Sequence, residues 1–146
     1  MRALSSARVV VLDADPDHRK FLCAALASLG VTQVLPAGSV DEVRAIDPAP
    51  DICVVDARRL PGGQRVPRNP FDPARTPGIL IIAEMSGETL KTAAASGFSA
   101  VLGAPFSPRL LYRRIGSVLQ KARRIGRRGD LGMTARPVTA IALQDA

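Results

Sequence analysis

Residues 8–17 read RVVVLDADPD, and they predict a buried strand followed directly by a helix. A short β-branched run of this kind is typical of a strand covered on both faces. Asp15 is placed to cap the helix, and Pro16 suits its first turn. Gly30 provides a C-terminal stop. Between these limits the apolar residues recur with a helical period, and they are Phe21, Leu22, Ala25, Leu26 and Leu29.

The same alternation of strand and helix continues along the chain. Further strands are predicted at residues 31–35, 51–55, 78–82 and 100–102. The remaining helices are predicted from a capping box at Ser39 and Glu42, from a segment running from about Ser86 to Ser96, and from a start at Ser107 and Pro108. Five strands alternating with helices predict an α/β fold with a doubly wound, five-stranded parallel sheet of order 2-1-3-4-5.

Two aspartates end the first and third predicted strands. Asp13 follows the first strand and Asp56 follows the third. In this strand order, the connections from the first and third strands lead toward opposite edges of the sheet. Ligands bind at this switch point, beyond the carboxyl ends of the two strands. Two carboxylates that meet there repel each other unless a cation or a proton lies between them. The spacing therefore predicts a site at this edge of the sheet.

One connection departs from the alternation. Residues 57–77 contain five prolines, at positions 61, 67, 70, 73 and 77. Prolines at this density exclude a long helix, so the third helix is predicted to be degenerate, with a single turn near Asp72 to Arg75. A loop of about twenty residues is unusual in a compact domain and indicates a functional or mobile segment. We expect it directly over the aspartate site.

Composition indicates one globular, cytoplasmic domain. The chain has 146 residues, of which 47% are hydrophobic and 23% charged. No apolar run approaches the length of a membrane span, and residues 1–8 are too short and polar for a secretory signal. Cys23 and Cys53 lack the spacing of a metal or disulfide framework, so we expect two buried, reduced thiols. Aromatic residues make up only 3% of the chain, which argues against a base-stacking nucleic-acid surface.

The basic charge is concentrated near the C-terminus. Residues 121–146 contribute +4 of the formal net charge of +7. We therefore divide the chain into a domain at 1–120 and a basic C-terminal extension at 121–146. An anion-binding role toward nucleic acid or lipid is one reading of the basic cluster, against a solvated tail or a favourable interaction with the helix dipole. Its members are Lys121, Arg123, Arg124, Arg127 and Arg128.

Over roughly residues 7–120 the sequence resembles the receiver domain of bacterial two-component response regulators, a CheY-like, flavodoxin-like fold. The resemblance rests on four sequence motifs: residues 9–17, Asp51 to Asp56, the stretch beginning at Gly97, and Pro105-Phe106. The resemblance implies that Asp56 is the phosphoacceptor for a histidine kinase or a phosphotransfer protein. It also implies a Mg²⁺ site that includes Asp13 and Asp56.

Three positions depart from the family pattern. Ala14 replaces the second acidic residue, Ala83 the hydroxyl after strand four, and Ala104 the lysine before the Pro-Phe pair. Phosphoryl transfer depends on positioning and on electrostatic stabilisation of the phosphoryl oxygens. Each alanine removes one such support, so Mg²⁺ is expected to bind weakly, if at all, and no other cofactor is expected. The pattern predicts an atypical, degenerate receiver.

Three functions follow from these observations. The preferred one is a non-enzymatic, stand-alone pseudo-receiver in phosphorelay signalling, which acts by contact with a kinase, a phosphotransfer protein or an output protein. The second is a single-domain response regulator phosphorylated on Asp56, and the third is anion binding through residues 121–128. The resemblance also implies a homodimer face on strands and helices four and five, with Lys91, Arg109 and Arg113.

Three further expectations concern single residues and the end of the chain. His18, in the first turn of the first helix, is expected on the solvated surface. Glu84, one residue past the lost hydroxyl, is either solvated or a mimic of the phosphorylated state. Residues 137–143 are β-prone and could pair with a sheet edge, and the 26 residues after position 120 are too few for a DNA-binding output domain.

Overall fold

Five parallel strands form a single sheet in the computed structural model, which describes residues 6–60 and 65–130, with side chains described as far as residue 125. The strands are β1 (Arg8–Asp13), β2 (Gln33–Ala37), β3 (Ile52–Asp56), β4 (Gly78–Ile82) and β5 (Phe98–Gly103). Their order is β2-β1-β3-β4-β5, which confirms the predicted doubly wound topology. The three central strands are almost wholly buried because helices and loops cover both faces of the sheet.

Four helices connect or follow the strands. They are α1 (Pro16–Ser28), α2 (Val40–Arg44), α3 (Gly87–Ala95) and α4 (Pro108–Asp130). The predicted caps at Asp15, Ser39 and Ser107 are present, since each side chain accepts a hydrogen bond from a backbone N–H of the first turn. Only half of the capping box predicted at Ser39 forms, because the Glu42 carboxylate accepts from the Ser39 hydroxyl and not from its backbone N–H. A complete capping box that was not predicted joins Ser86 and Thr89. α1 packs against α4, α2 packs on β1 and β2, and α3 packs on β5.

The second strand lies two residues later than the predicted span of 31–35. At the end of α1, Gly30 adopts a positive φ of 119°. The N–H of Val31 then donates to the carbonyl of Leu26, and that of Gly30 to Ala27, as in a Schellman motif. Val31 therefore belongs to the helix terminus although it is buried. The edge strand begins at Gln33 and accommodates Pro36, since one side of an edge strand needs no hydrogen-bond partner.

The third crossover contains no helix longer than one turn in its described residues, as predicted. A 3₁₀ turn at Ala57–Arg59 follows β3. A turn closed by the N–H groups of Arg75 and Thr76 on the carbonyl of Asp72 lies before β4. The expectation that the whole loop lies over the aspartate site is wrong. Among the described residues of the loop, Ala57–Arg59 lies beside that site, whereas Asn69 bonds to Thr76 and Gly97 at the opposite end of the sheet, to which a parallel crossover must return.

Asn69 anchors the returning half of this crossover at the amino ends of β4 and β5. Its side-chain amide donates to the carbonyls of Thr76 and Gly97, each at 3.0 Å, and its carbonyl accepts from the N–H of Phe71. The backbone N–H of Asn69 donates to the carbonyl of Ser96. The residue is 9% exposed, so these bonds replace much of the water that its amide loses. The buried amide of Asn69 therefore fixes this crossover to the sheet, as a packed helix does in the other crossovers.

α4 continues without interruption from Pro108 to Asp130. It crosses position 120, where the domain boundary is predicted, so that boundary is not marked by a change in backbone structure and stays a prediction. The β-prone segment 137–143 lies outside the described residues. Among the described residues, none of the helices has the length and apolar character needed to cross a bilayer.

The two cysteines differ in burial. Cys53 lies in β3 and is fully buried, and burial raises the pKa of its thiol to about 12. Cys23 lies on α1 and is only half-buried, which corrects the expectation of two buried thiols; burial also raises the pKa of this thiol. Both are free cysteines. Phe21, predicted on the apolar side of α1, is 56% exposed, because its ring lies beside His18 instead of against the sheet.

We expect Asn69→Ala to lower the free energy of unfolding by about 2–4 kcal/mol, because three side-chain hydrogen bonds are lost and two carbonyls at the loop base lose their donors. Urea denaturation followed by far-UV circular dichroism measures this. The control is Asp72→Ala, which removes one exposed hydrogen bond in the same loop and should cost about 1 kcal/mol or less. Equal losses in the two variants would contradict the anchoring role.

Candidate functional site

Asp13 and Asp56 are direct neighbours at the carboxyl ends of β1 and β3. The strand register pairs their Cα atoms across the point where the strand order reverses. Both side chains are at most 1% exposed. The predicted meeting of two carboxylates at this edge of the sheet is therefore present. Burying two adjacent negative charges is unfavourable unless nearby groups neutralise or hydrogen-bond them.

His18 provides the first of these groups. It lies in the first turn of α1, where the Asp15 cap fixes the helix start beside the end of β1. Its Nδ1 lies 2.5 Å from Oδ2 of Asp13 and 3.5 Å from Oδ2 of Asp56. The side chain is only 25% exposed. The prediction that His18 is a solvated surface residue is thus wrong, because the short turn after β1 directs the imidazole back over the strand ends.

Arg58 provides the second group. It lies in the 3₁₀ turn that starts directly after Asp56, and its Nε and Nη2 atoms donate to the two oxygens of Asp56 at 2.9 and 2.6 Å. Its backbone N–H adds a third hydrogen bond at 3.1 Å. The hydrogen bonds with Asp56 raise the pKa of the Arg58 guanidinium. Paired hydrogen bonds between a guanidinium and a carboxylate are among the strongest polar contacts in proteins.

Four side chains form one connected polar cluster, which we name the acidic ring: His18, Arg58 and Asp56 contact one another, and Asp13 joins them through His18. Nη2 of Arg58 lies 3.4 Å from Nε2 of His18. The contacts fit an imidazole that carries its proton on Nδ1, donates to Asp13 and accepts from Arg58. Phe106 covers the ring: its edge-on contact with His18 has centroids 6.3 Å apart, and the Arg58 guanidinium lies 5.7 Å from its centroid.

The remaining acceptors of Asp13 are also engaged. Its Oδ1 accepts from the N–H of Asp15 at 3.0 Å, and its backbone carbonyl accepts from Arg19 at 2.7 Å. On the outer side, Arg59 lies 3.4 Å from Asp15 in an exposed ion pair. The chain's own donors therefore satisfy both buried carboxylates of the acidic ring.

This donor set does not fit Mg²⁺ well. Mg²⁺ requires near-octahedral oxygen ligation, and the side chain of Ala14 offers no oxygen beside Asp13. Both oxygens of Asp56 are held by Arg58, and one oxygen of Asp13 is held by His18. Weak Mg²⁺ binding by Asp13 and Asp56, and the role of Asp56 as phosphoacceptor, stay predictions.

The three alanines predicted to replace family residues each follow the carboxyl end of a strand. Ala14 follows β1 and Ala83 follows β4, where it is exposed. Ala104 follows β5, its N–H donates to the carbonyl of Ile82, and its peptide bond to Pro105 is cis. Glu84 is exposed, and no hydrogen bond or ion pair joins it to the acidic ring within the described part of the chain. Its proposed mimicry of phosphorylation stays untested.

The predicted basic residues lie away from the strand ends. Lys121, Arg123 and Arg124 are exposed on α4, while the side chains of Arg127 and Arg128 lie outside the described region. Lys91, Arg109 and Arg113, predicted on the dimer face, are exposed on α3 and α4. The structure thus brings Asp13 and Asp56 together but not the basic cluster.

Sequence reasoning missed two of the four residues in the acidic ring. His18 could have been found from its position, because it follows the helix cap Asp15 by three residues. A side chain in this first turn lies within reach of Asp13, the carboxylate that ends the preceding strand. Arg58 could have been found from its place two residues after Asp56, since a tight turn there folds the arginine back onto the preceding side chain. Both signals are local in sequence, and neither needs the fold to be known.

Comparison with solved structures identifies the class. The sheet order and the similarity to solved structures show that the chain has the fold of response-regulator receiver domains, so the resemblance carried by the sequence motifs is confirmed for the fold. No protein-family model matches the chain, and no curated protein matches it.

Three of the similar structures illustrate the relationship. NtrX from Brucella abortus, in complex with ATP, has a TM-score of 0.69 and 20% identity over 96% of this chain and 33% of its own. A CheY-like receiver domain protein from Methanospirillum hungatei JF-1 has a TM-score of 0.66 and 19% identity over 81% of this chain and 97% of its own. A receiver protein from Burkholderia phymatum has a TM-score of 0.58 and 27% identity over 79% and 96%.

We expect a double-mutant cycle with Asp56→Asn and Arg58→Met to give a coupling free energy of about 1–3 kcal/mol, because the pair is bidentate and Asp56 is buried. Urea unfolding of the four proteins measures it. The matched control is the exposed Asp15–Arg59 pair, with Asp15→Asn keeping the helix cap, and its coupling should lie below about 0.5 kcal/mol. Similar coupling free energies in the two cycles would contradict the prediction that the buried Asp56–Arg58 pair stabilises the fold more than an exposed pair does.

Proposed function

We propose that the chain is an atypical stand-alone receiver, a pseudo-receiver in bacterial two-component or phosphorelay signalling. It acts in the cytoplasm by contact with another protein and not as an enzyme. The observation that carries this proposal is the bidentate contact of Arg58 with both oxygens of Asp56. An arginine of the chain itself occupies the carboxylate that a receiver would use to accept a phosphoryl group.

Phosphorylation of Asp56 would first require this contact to open. Each hydrogen bond to a charged partner contributes about 1.5–3 kcal/mol, and Arg58 makes two with its side chain. The lost lysine at Ala104 would add about 2–4 kcal/mol to the barrier, by analogy with the removal of one transition-state donor. Ala83 removes a hydroxyl that could bind the phosphoryl group. These effects act in the same direction and support a slow or absent phosphorylation.

The acidic ring also offers a physical reason for a fixed conformation. A receiver that is switched by phosphorylation needs a site whose charge changes on modification. Here the chain supplies the balancing groups itself, through the side chains of Arg58 and His18. The surface that a kinase, a phosphotransfer protein or an output protein would contact is then set at folding. The exposed side chains Lys91, Arg109 and Arg113 on α3 and α4 are the candidates for that contact or for a homodimer.

We expect no change in the amide NMR signals of Asp13, Asp56 and their neighbours when wild-type protein is titrated with millimolar Mg²⁺ and then with beryllofluoride. In the matched variant, Ala14→Asp, Ala83→Thr, Ala104→Lys and Arg58→Asn are combined. There beryllofluoride should produce localised shifts, because the missing ligands are restored and the competing guanidinium is removed.

The control for this experiment adds Asp56→Asn to the combined variant, which should abolish the response. Beryllofluoride shifts around Asp13 and Asp56 in the wild-type protein would overturn the pseudo-receiver. The chain would then be a response regulator phosphorylated on Asp56, which is the alternative function.

Anion binding through residues 121–128 is a second candidate, and one observation favours it. Lys121, Arg123 and Arg124 are exposed within four residues of a continuous helix, so they present their charges on one short segment. Because the chain has few aromatic residues, we expect this segment to contact phosphate groups and not to stack on nucleic-acid bases.

Replacing Lys121, Arg123 and Arg124 with Gln should weaken binding to anionic phosphatidylserine vesicles and to duplex DNA by at least about tenfold at low salt, if this segment is the anion site. The matched control replaces Lys20, Arg44 and Arg75, which are also exposed, with Gln and so keeps the same net charge. Co-sedimentation and fluorescence anisotropy measure the two affinities. Equal losses in both variants would assign the binding to net charge and remove this segment as a site.

A further inference from the structure

Asp13, His18 and Asp56 bring three metal-ligating atoms to one place. Two carboxylate oxygens and one imidazole nitrogen all lie within 4.8 Å of one another. Among the described residues no second group of this kind occurs. His18 is also the only histidine in the sequence. The cluster therefore adds a nitrogen donor to the two aspartates, and this donor comes from a different element of the fold.

The chemistry of the donors selects the class of cation. Mg²⁺ prefers oxygen ligands in an octahedron and has little affinity for imidazole. Imidazole with carboxylates suits Zn²⁺ and other late first-row divalent ions, for which three protein ligands and one water are an ordinary set. We propose that Asp13, His18 and Asp56 form a binding site for a late first-row divalent metal ion such as Zn²⁺, in preference to Mg²⁺.

The present geometry is close to what such an ion requires. Ligands at about 2.0–2.2 Å from a metal lie about 2.8–3.6 Å apart when they are neighbours in a tetrahedral or octahedral arrangement. The Nδ1 of His18 already lies 3.5 Å from Oδ2 of Asp56. Its distance of 2.5 Å from Oδ2 of Asp13 must lengthen by roughly 0.3–1.1 Å as the hydrogen bond gives way to two metal bonds. A small rotation of the imidazole accomplishes this.

The surroundings of His18 support a metal ligand. The imidazole lies beside the rings of Phe21 and Phe106, with centroid distances of 6.2 and 6.3 Å, and its Nδ1 is fixed by Asp13. The two carboxylates are fixed at the ends of buried strands. Ligands whose orientation is set by packing bind metal more tightly than flexible ones, since less conformational entropy is lost on binding.

Arg58 is the competing cation. When the metal binds Nδ1, the imidazole proton moves to Nε2 by exchange with solvent, and an N–H then faces Nη2 of Arg58 at the present 3.4 Å. The N–H groups of His18 and Arg58 then repel each other. The metal ion also binds an oxygen of Asp56 that accepts a hydrogen bond from Arg58 in its absence. Metal binding therefore releases the guanidinium from the acidic ring. This inference does not depend on the pseudo-receiver role, because the metal site needs no phosphorylation and no partner.

The experiment is a Zn²⁺ titration of the untagged full chain by isothermal calorimetry, together with ¹⁵N NMR of the single imidazole. We expect one Zn²⁺ per chain, a large shift of the His18 Nδ1 signal, and no displacement by millimolar Mg²⁺. His18→Gln should weaken Zn²⁺ binding by at least about tenfold, while its circular dichroism spectrum stays that of the wild type. Cys23→Ser should bind as the wild type does, which excludes the half-exposed thiol as the ligand.

Two arginine variants test the geometry independently of the ligands. Arg58→Gln should bind Zn²⁺ more tightly than the wild type, because the competing guanidinium is gone. The neighbouring Arg59→Gln should bind as the wild type does, since Arg59 pairs with Asp15 outside the ring. An unshifted imidazole signal, unchanged affinity in His18→Gln, displacement by Mg²⁺, or no gain in Arg58→Gln would each overturn the proposed site. None of these results would alter the beryllofluoride response that tests the pseudo-receiver.

Discussion

Two carboxylates buried side by side at the ends of adjacent strands must be neutralised, and the arrangement at this edge of the sheet follows from that requirement. Asp13 and Asp56 are fixed there by the register of β1 and β3, so neither can move into solvent without breaking the sheet. His18 on α1 and Arg58 in the turn after β3 provide the compensation. Because both come from short segments directly after those strands, the charge balance is completed by local chain geometry and does not depend on a distant element.

This compensation bears on how far a receiver fold can depart from its usual chemistry. Arg58, two residues after Asp56, donates hydrogen bonds to both oxygens of this buried carboxylate and so stabilises its charge. Positions 14, 83 and 104 are all alanine, so none of these side chains takes part in the charge balance. The fold accommodates the two buried carboxylates through the donors of His18 and Arg58. The buried pair is not evidence of unusual stability, since desolvation offsets much of its attraction.

Much of the fold was predictable because its signals are local or periodic. The caps at Asp15, Ser39 and Ser107, the stop at Gly30, and the buried strands all lie close to their predicted places. The start of β2 was misplaced because Val31 is buried by a helix-terminus motif and not by a strand. His18 and Arg58 were missed because charged and polar residues near a helix start are usually solvated, although each lies close in sequence to the strand-end aspartate that it contacts. The crossover was placed too near the site, since its anchor, Asn69, bonds to backbone carbonyls that no side-chain pattern reveals.

The uninterrupted course of α4 has a mechanical consequence. Its last ten residues extend about 15 Å along the helix axis beyond Gln120, at 1.5 Å per residue. A helix has a long persistence compared with a loop, so a small rotation of α4 against the sheet becomes a larger sweep at its far end. Among the residues of α4 whose burial is described, which end at Ile125, Val118 and Leu119 are the last that are buried. A rotation of α4 about these two residues would therefore displace the helix backbone beyond Gln120 further than the part of the helix that packs on the domain.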